Sequence, residues 1–270
     1  MSRPIAVITG ASSGIGAELA RVYATEGYDL VLTARREDRL EALKDELSEA
    51  TKGACVTHVV AADLARRRGV AKLVETIDEL DLEVDVLVNN AGVAESGRFA
   101  DMARGSASAM INLNVRALTE LSLIFAQRMA ERGHGRVLNV SSIVAFQPVP
   151  SMAVYSASKA YVLSLTESLS EEFRGTGVTF SALCPGLTRT EMAEAVAPAG
   201  FEPVADFVMS EARDVARQAF RACKRGEVII IPGLLNQAFV NWSQTQPRWS
   251  YRLMSGLAAR MSFAMDSSDR

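Results

Sequence analysis

The sequence predicts an α/β fold, a doubly wound parallel sheet of about seven strands with helices on both faces. Three observations carry that expectation. Seven short apolar runs recur along the 270 residues, segments with leucines at helical spacing separate them, and the first run passes through a glycine-rich turn into a helix-period segment.

The first strand is the run Ile5–Thr9, and the second is Leu30–Ala34. Leu40, Leu43 and Leu47 then recur amid Arg, Glu, Lys and Asp, the pattern of an amphipathic surface helix. The run Cys55–Val60 supplies the third strand, and Val70, Leu73, Val74 and Ile77 repeat the helical spacing before the fourth, Val84–Val88. From Met110 to Met129 the chain is apolar around much of a helix circumference, through Ile111, Leu113, Leu118, Leu121, Ile124 and Phe125. A helix apolar on two sides needs two neighbours, so one face is expected to meet another subunit in a homodimer or homotetramer. The runs Arg136–Val140, Val178–Leu183 and Val228–Ile231 complete the sheet.

No Pro/Gly/Ser linker or low-complexity block divides the chain, so residues 1–270 read as a single domain. Within it, 186–210 is rich in Ala, Met and Pro and lies beyond the sixth strand, where ligands of open parallel sheets bind; it is the expected substrate-binding lobe. The stretch 232–270 forms a C-terminal extension. It sets Trp242, Trp249, Tyr251, Leu253, Met254, Leu257, Met261 and Phe263 among Arg248, Arg252 and Arg260. A cap on the substrate pocket or a subunit contact is preferred for it over a place on a membrane surface, since a few arginines on an amphipathic helix usually mark a solvated face.

Apolar residues at 49%, charged residues at 23% and a net charge of −3 describe an ordinary globular protein and argue against a nucleic-acid partner, which calls for a basic excess. Three widely spaced cysteines, Cys55, Cys184 and Cys223, suit a reducing compartment better than a disulfide framework. With no signal-peptide pattern at the start, the expected location is the cytoplasm. Only two histidines, His58 and His134, and no paired-cysteine or zinc-helix motif leave no metal site in prospect.

Chemistry enters at Thr9-Gly10-Ala11-Ser12-Ser13-Gly14-Ile15-Gly16, where three glycines mark the turn from the first strand into the first helix. Gly10 permits a tight turn, Gly14 lets the backbone approach a pyrophosphate, Gly16 allows close helix packing, and the helix start offers its amides to the anion. This is a Rossmann-type nucleotide turn. Tyr155 and Lys159 are four apart on a later helix and share one face, which brings an ammonium toward a phenol and favours the phenolate. Ser142, at the end of the fifth strand, is placed to donate a hydrogen bond to a carbonyl oxygen that gains charge as hydride arrives. Two patterns overlap these and point elsewhere. Gly10-Ala11-Ser12-Ser13-Gly14 matches a hydrolase nucleophile elbow, with Ser12 as nucleophile, and Ser156-Ala157-Ser158-Lys159 matches the S-x-x-K of penicillin-binding proteins. The first lacks a late histidine and the second lacks both of its companion motifs.

Taken in order, the glycine turn, Asn89-Asn90-Ala91-Gly92, Ser142, Tyr155-x-x-x-Lys159 and Pro185-Gly186 resemble the short-chain dehydrogenase/reductase family over residues 4 to about 190. The resemblance implies an enzyme that moves a hydride between nicotinamide and a carbonyl or alcohol carbon. By the same resemblance Tyr155 is the general acid or base, Ser142 orients the carbonyl, and Lys159 binds the nicotinamide ribose and lowers the tyrosine pKa. Asn114, preferred over Asn112, corresponds to the fourth catalytic residue. Asp63 resembles the residue bonding the adenine, with Leu64 beside it, while Asn89, Ala91 and Gly92 would line the adenosine ribose and steady the sheet. Pro185, Gly186, Thr188 and Thr190 resemble the turn that meets the carboxamide and diphosphate, and Ser12, Ser13 and Ile15 complete the phosphate turn.

At the end of the second strand, where NAD-binding proteins carry an acid for the ribose hydroxyls, Leu32-Thr33-Ala34-Arg35-Arg36 offers Ala34 followed by two arginines. Those arginines can pair with a 2′-phosphate, so NADP(H) is the expected cofactor. Val144, Phe146, Val149, Met152, Leu187 and Met192 give the substrate side an apolar character and imply a hydrophobic ketone, aldehyde or alcohol. A nucleotide-binding regulator without turnover is the alternative, and the intact Ser142, Tyr155 and Lys159 speak against it.

Overall fold

A computed structural model describes residues 3–196, 209–247, 249–250, 252–253 and 255–256. Residues 197–208 of the expected substrate lobe lie outside the described residues, as do Arg248, Tyr251, Met254 and the extension from Leu257 onward, with Arg260, Met261 and Phe263.

Strands β1 (Ile5–Thr9), β2 (Asp29–Ala34), β3 (Thr57–Ala61), β4 (Val84–Asn89), β5 (Gly135–Val140), β6 (Val178–Leu183) and β7 (Ile229–Ile230) form one parallel sheet in the order β3-β2-β1-β4-β5-β6-β7. The chain winds outward from β1 to β3, then crosses back to lay β4 against the other side of β1. The loops leaving β1 and β4 therefore diverge and open a crevice at the carboxyl edge. The third strand starts two residues later than its apolar run suggests. The N–H groups of Cys55 and Val56 donate to Thr51 Oγ1 and Asp29 Oδ1 at 3.2 and 2.9 Å, so side chains take the donors a ladder would use.

The described helices are α1 (Gly14–Thr25), α2 (Glu37–Ala50), α3 (Arg67–Glu79), α4 (Arg104–Ile111), α5 (Leu118–Arg132), α6 (Ala153–Glu172), the short α7 (Glu191–Val196), α8 (Ala212–Lys224) and α9 (Leu234–Thr245). Alternate residues of the strands feed two cores. Ala6 and Ile8 of β1 join Leu19 and Tyr23 of α1, Leu40, Leu43 and Leu47 of α2, and Val215, Ala219 and Phe220 of α8. Val7 faces the other way, with Leu73 and Ile77 of α3 and Leu121, Phe125 and Met129 of α5. Each of the larger side chains contributes roughly 1.5–3 kcal/mol by leaving water.

Helices α4 and α5 are joined without a break by a π-helical segment, Asn112–Ala117, so Arg104–Arg132 is one helical run. Its length and composition would suffice to cross a membrane, but one stripe is packed on the sheet and marks it as a core helix. Ile111 and Leu123 remain exposed, as does Tyr161 of α6, whose hydroxyl lies 3.1 Å from Thr119 Oγ1. The run ends at Gly133, whose φ of +78° supplies the left-handed cap.

Candidate active site

The carboxyl ends of β1 and β4 are stitched together where they part. Thr9 Oγ1 accepts from the N–H groups of Asn90 and Ala91 at 2.9 and 3.0 Å, and Asn90 Nδ2 donates to the carbonyls of Thr9 and Gly10 at 2.9 and 3.1 Å. This seam leaves no room for a side chain at Gly10 or Gly16. A Cβ at Gly10 would sit 2.8 Å from Ala91 Cα, and one at Gly16 would sit 2.4 Å from the Gly10 carbonyl oxygen. Gly14, with φ of +56°, faces Thr190 from across the cleft. No side chain caps the start of α1, so its first amides face the cleft available to an anion. These features fit a dinucleotide phosphate.

The catalytic candidates come from three separate elements. Ser142 ends the extension of β5 and caps the 3-10 turn Ile143–Phe146, its Oγ accepting from the Val144 N–H at 3.3 Å. Tyr155 and Lys159 project from the first turns of α6 into the same cleft as the glycine turn. Lys159 is buried, donates from Nζ to the Val140 carbonyl at 2.8 Å, and lies 5.7 Å from the centre of the Tyr155 ring. Asn114, in the π-helical segment, is buried as well. Its Oδ1 accepts from the Val93 N–H at 3.0 Å, while its Nδ2 donates to the Val93 carbonyl at 2.9 Å and to Ser158 Oγ at 3.1 Å. A Cβ on Gly92 would crowd Asn114 Oδ1 and Lys159 Nζ at 3.3 and 3.5 Å, so the glycine lets the loop after β4 lie close to both.

The electrostatics correct one expectation. Burial pushes the Tyr155 phenol up to about 12, with the Ser142 hydroxyl pulling the other way. Burial also brings the Lys159 ammonium down to about 8. The lysine does not lower the tyrosine pKa in this arrangement, because it turns its donor to a backbone carbonyl and is itself poorly solvated. Near neutral pH the phenol is held in its protonated form.

The two arginines after β2 differ. Arg35 is exposed at the rim of the cleft and makes no hydrogen bond or ion pair among the described residues. Arg36 is engaged. It donates from Nη2 to Ser12 Oγ and Ser13 Oγ at 3.1 and 2.9 Å, and from Nη1 to Glu191 Oε2 at 2.8 Å. Arg39 grips the other oxygen of the same carboxylate, and the two guanidiniums bring Glu191 down to about 2. Arg36 thus ties the phosphate turn to α7.

Among the other nominated residues, Ser12, Ser13, Ile15, Leu64, Ala91, Pro185 and Thr190 line the cleft. Asp63 lines it too, fixed through Oδ1 by the Ala65 N–H at 3.1 Å. Three are turned elsewhere. Asn89 points into the sheet, donating to Ser122 Oγ and Asn139 Oδ1 at 3.0 and 2.9 Å, so it steadies the strands and leaves the lining to Asn90, which the sequence reading missed. Gly186 faces Asn236 of α9, and Thr188 is buried with its hydroxyl on the Gly186 carbonyl at 3.0 Å. Phe146 packs partly on a small cluster around Leu163, Ala182 and Cys184. The hydrolase reading of Ser12 finds no base, since His58 lies in β3 and His134 sits 3.4 Å from Asp85 near the opposite, amino end of the sheet.

Comparison with known proteins agrees with this site. The family model for short chain dehydrogenases matches residues 4–199. Oxidoreductase UcpA of Salmonella typhimurium is 37% identical over 193 residues, covering 71% of this chain and 72% of its own. Among solved structures, a short-chain dehydrogenase from Sphingobium yanoikuyae in complex with NADPH is 34% identical with a TM-score of 0.77, covering 91% of this chain and 97% of the other. A short-chain dehydrogenase/reductase from Burkholderia phymatum in complex with NAD is 29% identical with a TM-score of 0.78, covering 89% and 92%. The fold and the cleft define a nucleotide-binding oxidoreductase. The chain belongs to the short-chain dehydrogenase family.

The lysine gives a pH prediction. Below pH 8 the folded state bears the cost of a desolvated ammonium, whereas between pH 8 and 10 it has lost a proton that the unfolded chain still holds, so stability contributed at Lys159 rises with pH. Relative to Lys159→Met, the unfolding free energy of the native sequence should gain on the order of 2–3 kcal/mol from pH 8 to pH 10. Urea denaturation across that range measures it, and a difference that stays flat with pH would mean that the ammonium is solvated.

Proposed function

We propose that the protein is an NADP(H)-dependent oxidoreductase that interconverts a carbonyl and an alcohol on a hydrophobic small molecule. The observation that carries the reading is the meeting of Tyr155 and Lys159 with the glycine turn in one cleft, with Ser142 against the tyrosine. A bound nicotinamide dinucleotide supplies or receives the hydride. In reduction, Tyr155 donates its phenolic proton to the substrate oxygen, a role suited to a phenol that burial keeps protonated. Ser142 donates a hydrogen bond to the same oxygen. Lys159, anchored on Val140, has further N–H donors for the ribose hydroxyls of a bound nucleotide. Asn114 holds the π-helical segment against the Val93 loop.

For the nucleotide, Gly10, Gly14 and Gly16 give the diphosphate its approach, Asp63 and Leu64 border the adenine end, and Gly92, Pro185 and Thr190 border the remainder. Arg35, with no partner among the described residues, is the group that answers a 2′-phosphate, and Ala34 offers no acceptor to a bare ribose. Arg36 contributes from behind by fixing Ser12 and Ser13. Met192 adds an apolar surface to the same cleft, and we assign 186–210 to the substrate side. We further assign the protein to the cytoplasm and to a homodimer or homotetramer, formed over the outer faces of the Arg104–Arg132 run and α6, where Ile111, Leu123 and Tyr161 are exposed.

Replacing Tyr155 by Phe should lower turnover on the best carbonyl substrate by at least about a hundredfold, the usual share of a general acid, with NADPH binding largely retained. Near-normal turnover of that variant, in an assay of NADPH oxidation, would remove Tyr155 from the mechanism.

Cofactor preference is tested by titrating native protein and Arg35→Ala with both reduced cofactors. A charge-assisted hydrogen bond contributes about 1.5–3 kcal/mol and about 1.4 kcal/mol is tenfold, so the variant should bind NADPH at least about tenfold more weakly and NADH unchanged. An equal loss for both would make Arg35 a solvated side chain. For assembly, light scattering should return a dimer or tetramer mass, and a strict monomer at micromolar concentration would count against the proposed faces.

A further inference from the structure

Helix α9 is amphipathic the wrong way round for a helix in water. Its inner side packs down through Val240 and Ser243, with Asn236 against Gly186 and Gln237 donating to the Ile231 carbonyl at 2.9 Å. Leu234, Leu235, Phe239 and Trp242, spaced to form one stripe along the helix, stand on the outer side with 82, 68, 38 and 44% of their surfaces exposed. Trp249 and Leu253 follow at 68 and 69%, and Phe239 and Trp242 stack with ring centres 6.4 Å apart. A solvated helix reverses this distribution, and contiguous exposed apolar surface marks a contact.

Charge decides what the contact is. From Val228 to Met265 the sequence holds three arginines, Arg248, Arg252 and Arg260, and no Asp or Glu, in a chain whose net charge is −3. A second copy docking tail to tail by a two-fold axis would face this cationic segment with itself. An anionic lipid surface opposes the charge, and exposed Trp with interspersed Arg is the composition of a helix that lies in the headgroup region. We propose that α9, with Trp249 and Leu253 beyond it, docks the protein onto anionic bilayers, with Leu234, Leu235, Trp242, Trp249 and Leu253 entering the headgroup boundary and the exposed Arg252 meeting lipid phosphates. Asn236, on the inner side of the same helix, packs on Gly186 in the turn after β6, where the stretch assigned to substrate begins, and the substrate class we infer is a carbonyl or alcohol dissolved in the membrane. That last clause rests on the oxidoreductase reading, whereas the docking does not.

The two tryptophans of the chain both lie in the patch, so intrinsic fluorescence reports on it directly. Full-length protein is mixed with vesicles of phosphatidylcholine alone or with phosphatidylglycerol, and binding is read by co-sedimentation and by Trp emission. Binding to the anionic vesicles should be at least about tenfold stronger, weaken with salt, and shift the emission to the blue. The variant Leu234→Ser/Leu235→Ser/Leu253→Ser, which keeps both tryptophans and exchanges only exposed side chains, should bind at least about tenfold more weakly while its far-ultraviolet circular dichroism is unchanged. Absent sedimentation with an unshifted spectrum overturns the proposal. So does a variant that keeps vesicle binding but loses subunit association in light scattering, which would make the patch a contact between copies. If vesicles bind but leave KM for apolar carbonyls unchanged, docking stands and membrane supply of substrate falls.

Discussion

The seam between β1 and β4 sets the terms for everything at the carboxyl edge of the sheet. Thr9 and Asn90 exchange hydrogen bonds across the point where strand order reverses, and the turn carrying Gly10 is pressed so closely against this exchange that only hydrogen fits on its α-carbon. Pinning the two loops at their roots is what allows them to separate above. The amides at the start of α1, the loop carrying Gly92 and the end of β5 then surround one cleft rather than three unrelated edges.

A second polar thread runs beneath the chemistry. Asn89 bonds Asn139, which donates to Thr166 Oγ1 at 3.0 Å, linking β4, β5 and α6 in the dry interior. The amide donors of Asn89 and Asn139 are both matched, and any slip would leave them without water or partner. Above that thread sit Ser141, whose hydroxyl donates to the Lys159 carbonyl at 2.8 Å, and Lys159 itself, whose ammonium is on Val140. Helix α6 is therefore fastened to β5 from both ends of one residue, and the Tyr155 phenol inherits its position from that fastening.

Much of this could be read from the chain because it rests on local rules. Short apolar runs gave six strands nearly to the residue, glycine spacing gave the turn, and a four-residue interval placed Tyr155 and Lys159 on one face. What stayed hidden depended on contacts between distant residues. Asn89 and Asn90 are adjacent and chemically identical, and only the pleat of β4 sends the first inward and the second to the cleft. Glu191 meets Arg36 across 155 residues, so nothing local distinguishes Arg36 from Arg35. The tyrosine pKa went astray for a similar reason: the four-residue spacing gives proximity to an ammonium, but desolvation of both groups comes from the surrounding fold.

At the amino end of the sheet, far from the cleft, Gly177 lies with φ of +83° so close to the preceding crossover that a Cβ would be 1.8 Å from the Gly133 carbonyl oxygen, and Met129 crowds Gly135 in the same way. Here steric exclusion serves no chemistry. The molecule consequently has two floors that place different demands on a substitution. Change at the lower floor is judged by whether the chain folds at all and is blind to which compound is turned over, while the loops of the upper floor can be rebuilt for a new compound without renegotiating the packing beneath.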